Sequence, residues 1–437
     1  MSGPITIPSA RLPRRRGPVE KAPQPPAFDE KAFVRELIER IVAECPRRQP
    51  TSEDERKAQG IVEAEFARLG LATGYKPFRF NDNLYSNLAL HTGLGTLGTM
   101  VSGVSPFAGL ALHLTSGLSY LFDSTRKGYF LRRVLGFKPS QNLLAVLPAE
   151  GEPRLRVVIT AHIDAAFTGW IFKPEFVKAF SSAHLPKGFE FMGRAVALAT
   201  LNQFPLAAID LLRIVFGRVL TAPLRPLEAL LTLPSALAFV MNLQMVLRNE
   251  VVPGANDDLS GVAALPILAR RLAATKRPDV EYVFAVTGCE EASLGGGDAL
   301  AKQMAGVWDK TKTVVVGLDM LSLGQLHFLE GEGEVIRTWI PQWLGDACRK
   351  VAASEPRFAE VKGFRVDIGG SDVAAFLARG WEGVCLACID PEKGMPEHYH
   401  SPKDAPENMD WDKVIFSIDF AERLVREIVA IRLPGGS

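Results

Sequence analysis

Five short patches of the sequence carry groups that bind metals or move protons. The apolar run 157–161 ends in His162-Ile163-Asp164. An imidazole at a strand's C-terminal end can bind zinc, and a carboxylate two residues on can orient the site. Alone, such a histidine is more often structural. Pro253-Gly254-Ala255-Asn256-Asp257-Asp258 combines small residues, which allow close backbone approach, with a carboxylate just before a helix. An ordinary N-cap explains Asp257 or Asp258 equally well. The run 282–287 leads through Gly288-Cys289 into Glu290-Glu291. Adjacent carboxylates repel, so a nearby cation keeps both ionised, one binding it while the other takes a proton from water. A solvated acidic loop is the plain alternative. Asp319 closes the apolar run 314–318, a costly place for a carboxylate without a partner. The fifth patch, His398-Tyr399-His400-Ser401-Pro402-Lys403-Asp404, is a polar loop in which either histidine alone reads as a surface residue.

The elements that must position these groups follow from hydrophobic period. Phe33, Leu37, Ile38, Ile41 and Val42 recur at helical spacing up to Pro46, and Thr51 or Ser52 caps a second helix that stops at Gly70. Strand-length apolar runs lie at 143–147, 157–161, 282–287, 314–318 and 384–389, separated in part by helical segments 261–275 and 371–379. Such alternation predicts an α/β fold: a three-layer sandwich with a mixed, largely parallel central sheet flanked by helices. With 50 Lys+Arg against 49 Asp+Glu the net charge is +1, and no overall field selects nucleic acid. Five cysteines, an odd number, argue against a secreted disulfide framework. Cys385 and Cys388 have Cys-x-x-Cys spacing but no second pair, and read as buried thiols. The Pro- and Arg-rich segment 1–28 lacks the apolar run of a signal peptide and reads as a disordered tail on a cytoplasmic protein.

Two stretches break the alternation. No Asp, Glu, Lys or Arg occurs between Asp82 and Asp123, where 84–90 reads as a strand and two helices of about 15 residues follow, broken at Ser105-Pro106. In the second stretch the uncharged run 229–247 approaches the ~20 residues that cross a bilayer as helix. Basic residues flank or punctuate both, including Arg132, Arg133, Arg218 and Arg225. Three readings stay open: buried helices or a lid, an oligomer interface, and hairpins that meet the cytoplasmic face of a membrane. Full spanning by the first stretch is disfavoured, because 15 residues reach only ~22 Å.

The order His, Asp, Glu-Glu, Asp, His, mostly at strand ends, resembles the co-catalytic zinc peptidases of the M28 type, the aminopeptidase family. The matching pieces are His162-x-Asp164, Gly254-Ala255-Asn256-Asp257, Glu290-Glu291 with Leu294 and Gly296, Asp319, and Tyr399-His400-Ser401-Pro402-x-Asp404 followed by Glu407-Asn408. Arg47-Arg48-Gln49-Pro50 and Ser140-Gln141-Asn142 are looser matches. The resemblance implies one peptidase domain over residues 29–437, interrupted by apolar insertions at 91–138 and 166–250 where the family usually has short connections. It implies two Zn2+ per chain: Asp257 bridging, His162 and Asp319 completing one site, Glu291 and His400 the other. Glu290 would be the general base, Tyr399 would donate to the developing oxyanion, and Asp164 would orient the centre. A peptide would be the substrate and removal of N-terminal residues the simplest activity. A dipeptidase, a carboxypeptidase, an amidohydrolase or a catalytically dead membrane scaffold are the alternatives. Val373 stands where relatives often have His, which bears on a substrate contact and not on the metals.

Overall fold

The structure is a computed structural model and describes residues 28–173, 175–176, 194–366 and 369–434. Nearly all of the tail 1–28 thus lies outside the described residues. The chain opens with α1 (Glu30–Glu44), capped by Asp29, and α2 (Glu53–Arg68), whose Ser52 Oγ accepts from Glu55 N at 3.0 Å. Then come β1 (Ala72–Phe80), α3 (Leu84–Ser102), α4 (Pro106–Ser124), β2 (Lys138–Leu147) and β3 (Leu155–His162). Helices α5 (Ala195–Leu201), α6 (Gln203–Thr221) and α7 (Arg225–Arg248) precede α8 (Leu259–Ala273), β4 (Val280–Thr287), α9 (Gly295–Met304) and β5 (Thr313–Asp319). The rest is β6 (Gln325–Glu332), β7 (Thr338–Trp339), α10 (Gln342–Ser354), β8 (Lys362–Arg365), α11 (Asp372–Ala378), β9 (Glu382–Ile389) and α12 (Trp411–Arg432).

The strands form one mixed sheet in the order β1-β2-β4-β3-β5-β9-β6-β7, with β8 beside β6. Its centre, β4-β3-β5-β9, is parallel, and β2 and β6 flank it antiparallel. Successive residues of the central strands serve opposite faces, as the pleat requires. Val157, Ile159 and Ala161 join a core with α1, α2, α8, α10 and α12, while Val158, Val315 and Ala387 join a second core with α9 and α11. Cys388 belongs to the first core and Cys385 to the second, so the two thiols lie on opposite faces of β9, both buried and free. The expected three-layer sandwich is what forms.

One expected element is different. Residues 84–90, read as a strand, are the first turns of α3. Asn83 Oδ1 accepts from Ser86 N at 3.1 Å as the N-cap, and the segment has no β-branched residue before Thr92. Tyr85, Leu88, Ala89 and Thr92 then face inward at helical spacing. The first insertion is therefore two helices of 19 residues each, with Ser105 capping the second. That is about 28 Å of helix apiece and not the ~22 Å expected. Helix α3 packs against α4 and α7, and α4 against α6, so the two insertions meet in one four-helix bundle beside the sandwich.

Candidate metal centre

Parallel strands end together, and here β3, β4 and β5 bring His162, the 290–291 turn and Asp319 to one edge of the sheet. The loop before α8 adds Asp257 and the loop after β9 adds His400. His162 Nε2 lies 3.2 Å from Asp257 Oδ1 and 3.9 Å from both Asp319 Oδ1 and Glu290 Oε2. On the other side His400 Nε2 lies 3.4 Å from Asp257 Oδ2 and 3.3 Å from Glu291 Oε2. Asp257 and the five groups around it, His162, Glu290, Glu291, Asp319 and His400, thus converge on one small buried volume. His398 faces the charges of Glu397, Lys403 and Lys393 and not these carboxylates, and Val373 is packed into the second core.

The surrounding contacts explain why each group points inward. His162 Nδ1 donates to the carbonyl of Asp164 at 3.0 Å, which turns Nε2 toward Asp257. The Asp164 carboxylate accepts from the backbone N–H of Glu290 and of Glu291, at 3.0 and 2.9 Å, and so fixes the turn carrying both glutamates. Asp404 does the same for Asn256 and Asp257, at 2.6 and 3.0 Å. As N-cap candidates Asp257 and Asp258 were equivalent in the sequence, and the structure separates them. Asp258 is the N-cap of α8, its two oxygens accepting from His162 N, Gly261 N and Met320 N, whereas Asp257 turns its carboxylate to the imidazoles. Tyr399 stacks on the His400 ring with centroids 3.8 Å apart.

The electrostatics of the cluster favour a cation at its centre. Burial is the largest influence on His162, Asp257, Glu290, Asp319 and His400. It raises Asp319 well above the carboxylate range, with repulsion from Asp257 adding to the rise. Glu290 is likewise raised well above its ordinary value: burial lifts it, the attraction of His162 opposes that, and Glu291 adds to the rise. Burial alone would lower His400, but Glu291 and Asp257 outweigh it and push the imidazole up to about 10. Asp257 Oδ2, Glu291 Oε1 and Asp319 Oδ1 are buried without a hydrogen-bond donor among the described residues. Native proteins rarely leave such oxygens orphaned. Carboxylate and imidazole donors of this kind suit zinc, so the residues present fit the ions that the sequence resemblance implies.

Three supporting residues had no role assigned from the sequence, Arg48 standing there only within the loose match Arg47-Arg48-Gln49-Pro50. Tyr85, near the start of α3, sits with Oη 3.2 Å from His400 Nδ1 across 315 residues of sequence. Glu55 on α2 accepts from Cys289 N at 2.8 Å, just before the glutamate pair. Arg48 is fully buried and donates to the carbonyls of Cys45, Ile163, Pro253 and Gly254 at 2.6–3.3 Å, so one guanidinium ties the Asp164 loop to the Asp257 loop. Arg48→Met leaves those carbonyls without their donor and is expected to cost about 3 kcal/mol. The measurement is a fall in the urea midpoint at constant slope. An unchanged midpoint would remove Arg48 from the scaffold.

Residues 241–423 match the model of peptidase family M28. No curated protein matches the sequence. Among solved structures the fold is similar to the zinc aminopeptidase BSAP from Bacillus subtilis: 14% identity, 91% of this chain and 94% of that one covered, TM-score 0.53. It is also similar to the aminopeptidase from Aneurinibacillus sp. strain AM-1, at 14% identity, 91% and 93% covered, TM-score 0.52. A glutaminyl cyclase from an Acidobacteriales bacterium gives 14% identity, 96% and 100% covered, TM-score 0.50. The chain is thus similar to peptidase family M28 over residues 241–423, and its fold is similar to that of a solved zinc aminopeptidase.

Proposed function

We propose that the protein is a two-zinc aminopeptidase that removes N-terminal residues from peptides. The observation that carries this reading is the pair of imidazoles approaching opposite oxygens of one carboxylate, 3.2 and 3.4 Å away. A carboxylate so placed is arranged to be shared. In this reading Asp257 would serve both ions, His162 and Asp319 would help to hold one, and Glu291 and His400 the other. Bound zinc supplies Lewis acidity, lowering the pKa of a water and polarising a carbonyl. The chain's own groups do the rest. Glu290, held by Asp164 through its backbone N–H, takes the proton of the attacking water and returns it to the amine nitrogen as the C–N bond breaks. Tyr399, stacked on His400, would donate to the carbonyl oxygen as charge develops there.

The test uses purified full-length protein. About two zinc ions per chain are expected, with turnover of amino-acid 4-nitroanilides, loss of activity on treatment with 1,10-phenanthroline and recovery on adding zinc. Hydrolysis of N-blocked peptides alone would end the aminopeptidase reading. Ammonia release from N-terminal glutamine without chain shortening would place the activity with the cyclases that share the fold. Full activity in zinc-free protein would sink the metal mechanism altogether.

A further inference from the structure

The four-helix bundle is built inside out. Along α7, Leu230, Leu233, Leu237, Val240 and Leu247 recur every three to seven residues on one face, and all are exposed. Helix α6 turns Leu211, Val215, Phe216 and Val219 outward, α4 adds Phe107, Leu118 and Phe122, and α3 adds Leu97 and Met100. The interior is polar instead. Asp210 accepts from His113 Nδ1 at 2.7 Å and from Ser102, and Arg213 makes a two-pronged pair with Glu228 at 2.8 and 3.0 Å. Thr99 meets Thr232 at 2.9 Å, and Gln203 donates to Ser235 at 2.7 Å. The glycines sit at the contacts: a Cβ on Gly95 would strike Gln203, and one on Gly109 would strike Asp210.

A helix bundle in water hides its leucines and shows its charges. This one does the reverse, which is the arrangement of helices solvated by lipid: small residues and hydrogen-bonding side chains at the seams, ionisable groups paired inside, hydrocarbon outside. Charge placement agrees. Of the charged residues in α3, α4, α6 and α7, Asp123, Asp210, Arg213 and Glu228 are buried. The exposed ones, Arg218, Arg225 and Arg248, lie at the two ends. Lys127 and Arg133 are exposed in the connection that follows α4 at the base, beside Phe130 and Val134. Length agrees for three of the four: 19 residues in α3 and in α4 and 24 in α7 give about 28–36 Å, against a hydrocarbon core of ~30 Å, while α6 is broken at Gly217 and reaches less far. The most apolar 18 residues between Ala195 and Arg248 are only 17% buried, where a core helix of a soluble fold would be mostly buried. A second copy docked on one side would leave the leucines of the remaining helices in water, because all four helices carry them.

We propose that α3–α4 and α6–α7 are two hairpins embedded in the hydrocarbon of a lipid bilayer, with the arginines and lysines at either end among the headgroups. The catalytic fold then rests on the membrane surface. Tyr85 at the base of α3 touches His400, so the acidic cluster lies at the foot of the embedded bundle. The proposal stands on the bundle alone and does not depend on the zinc aminopeptidase reading.

The test is fractionation of cells expressing the full chain. The protein is expected to stay with membranes through high salt and alkaline carbonate and to leave them only in detergent. Monodisperse protein in detergent-free buffer would overturn the proposal, and if dimeric it would hand the apolar surface to a second copy. Leu237→Trp keeps the surface apolar and gives a second reading. In phosphatidylcholine–phosphatidylglycerol vesicles with brominated acyl chains, the emission added by this tryptophan should fall about twofold or more against unbrominated vesicles. No quenching in vesicle-bound protein would place residue 237 outside the hydrocarbon and sink the proposal.

Discussion

Glu290→Gln is expected to keep its zinc and lose turnover by about 10²–10⁴-fold, the usual worth of a positioned general base. The side chain keeps its size and its place in the turn after β4, because that turn is held through the backbone by Asp164 and not by the Glu290 carboxylate. What the amide cannot do is accept the water's proton. kcat and kcat/KM should therefore fall together, with KM little changed. The neighbouring Glu291→Gln is the informative contrast. Glu291 Oε2 lies 3.3 Å from His400 and its Oε1 is orphaned, so that change should strip metal as well as activity. Normal turnover in Glu290→Gln would refute its assignment as the base, and loss of zinc would move it into the ligand set. The readings are 4-nitroanilide kinetics and zinc content on the same preparation.

How much of this was legible beforehand follows from where each signal is stored. The central strands are short β-branched runs whose both faces are buried, so 157–161 and 314–318 announce themselves locally. The ligand types sit at the ends of those runs, and their chain order is itself a pattern. The strand misread at 84–90 failed for a local reason too. An uncharged apolar segment has no period until one knows which face is buried, and Asn83 as its cap was overlooked. Long-range partners leave no trace in a single sequence. Nothing near Tyr85 announces His400, and nothing near Arg48 announces Gly254, 206 residues away. The bundle lies between these cases: its apolar content was plain at 229–247, but only packing reveals that Glu228, Thr232 and Ser235 face inward while the leucines face out.

Asp257→Asn should have the larger effect, because in the proposed centre this carboxylate serves both ions. Its two oxygens face two different imidazoles, and replacing one oxygen by an amide removes the negative charge and one of the two acceptors together. Bound zinc is expected to fall from about two per chain to one or fewer, and turnover by ~10³-fold or more, since several kcal/mol of Lewis-acid assistance goes with it. The loop itself should survive, because its N–H groups stay bonded to Asp404. Asp258→Asn tests the assignment from the other side. Asp258 spends both oxygens on three backbone N–H groups, at 3.0–3.1 Å, joining the ends of β3 and β5 to the start of α8. An amide there turns an N–H toward an N–H, which should cost about 1–3 kcal/mol of stability while zinc stays bound. Two adjacent carboxylates thus give opposite readouts, metal content for one and urea midpoint for the other. Should Asp258→Asn lose the zinc and Asp257→Asn retain it, the ion would belong to the group formed by His162, Asp258 and Asp319 instead, and the bridging carboxylate would have to be abandoned.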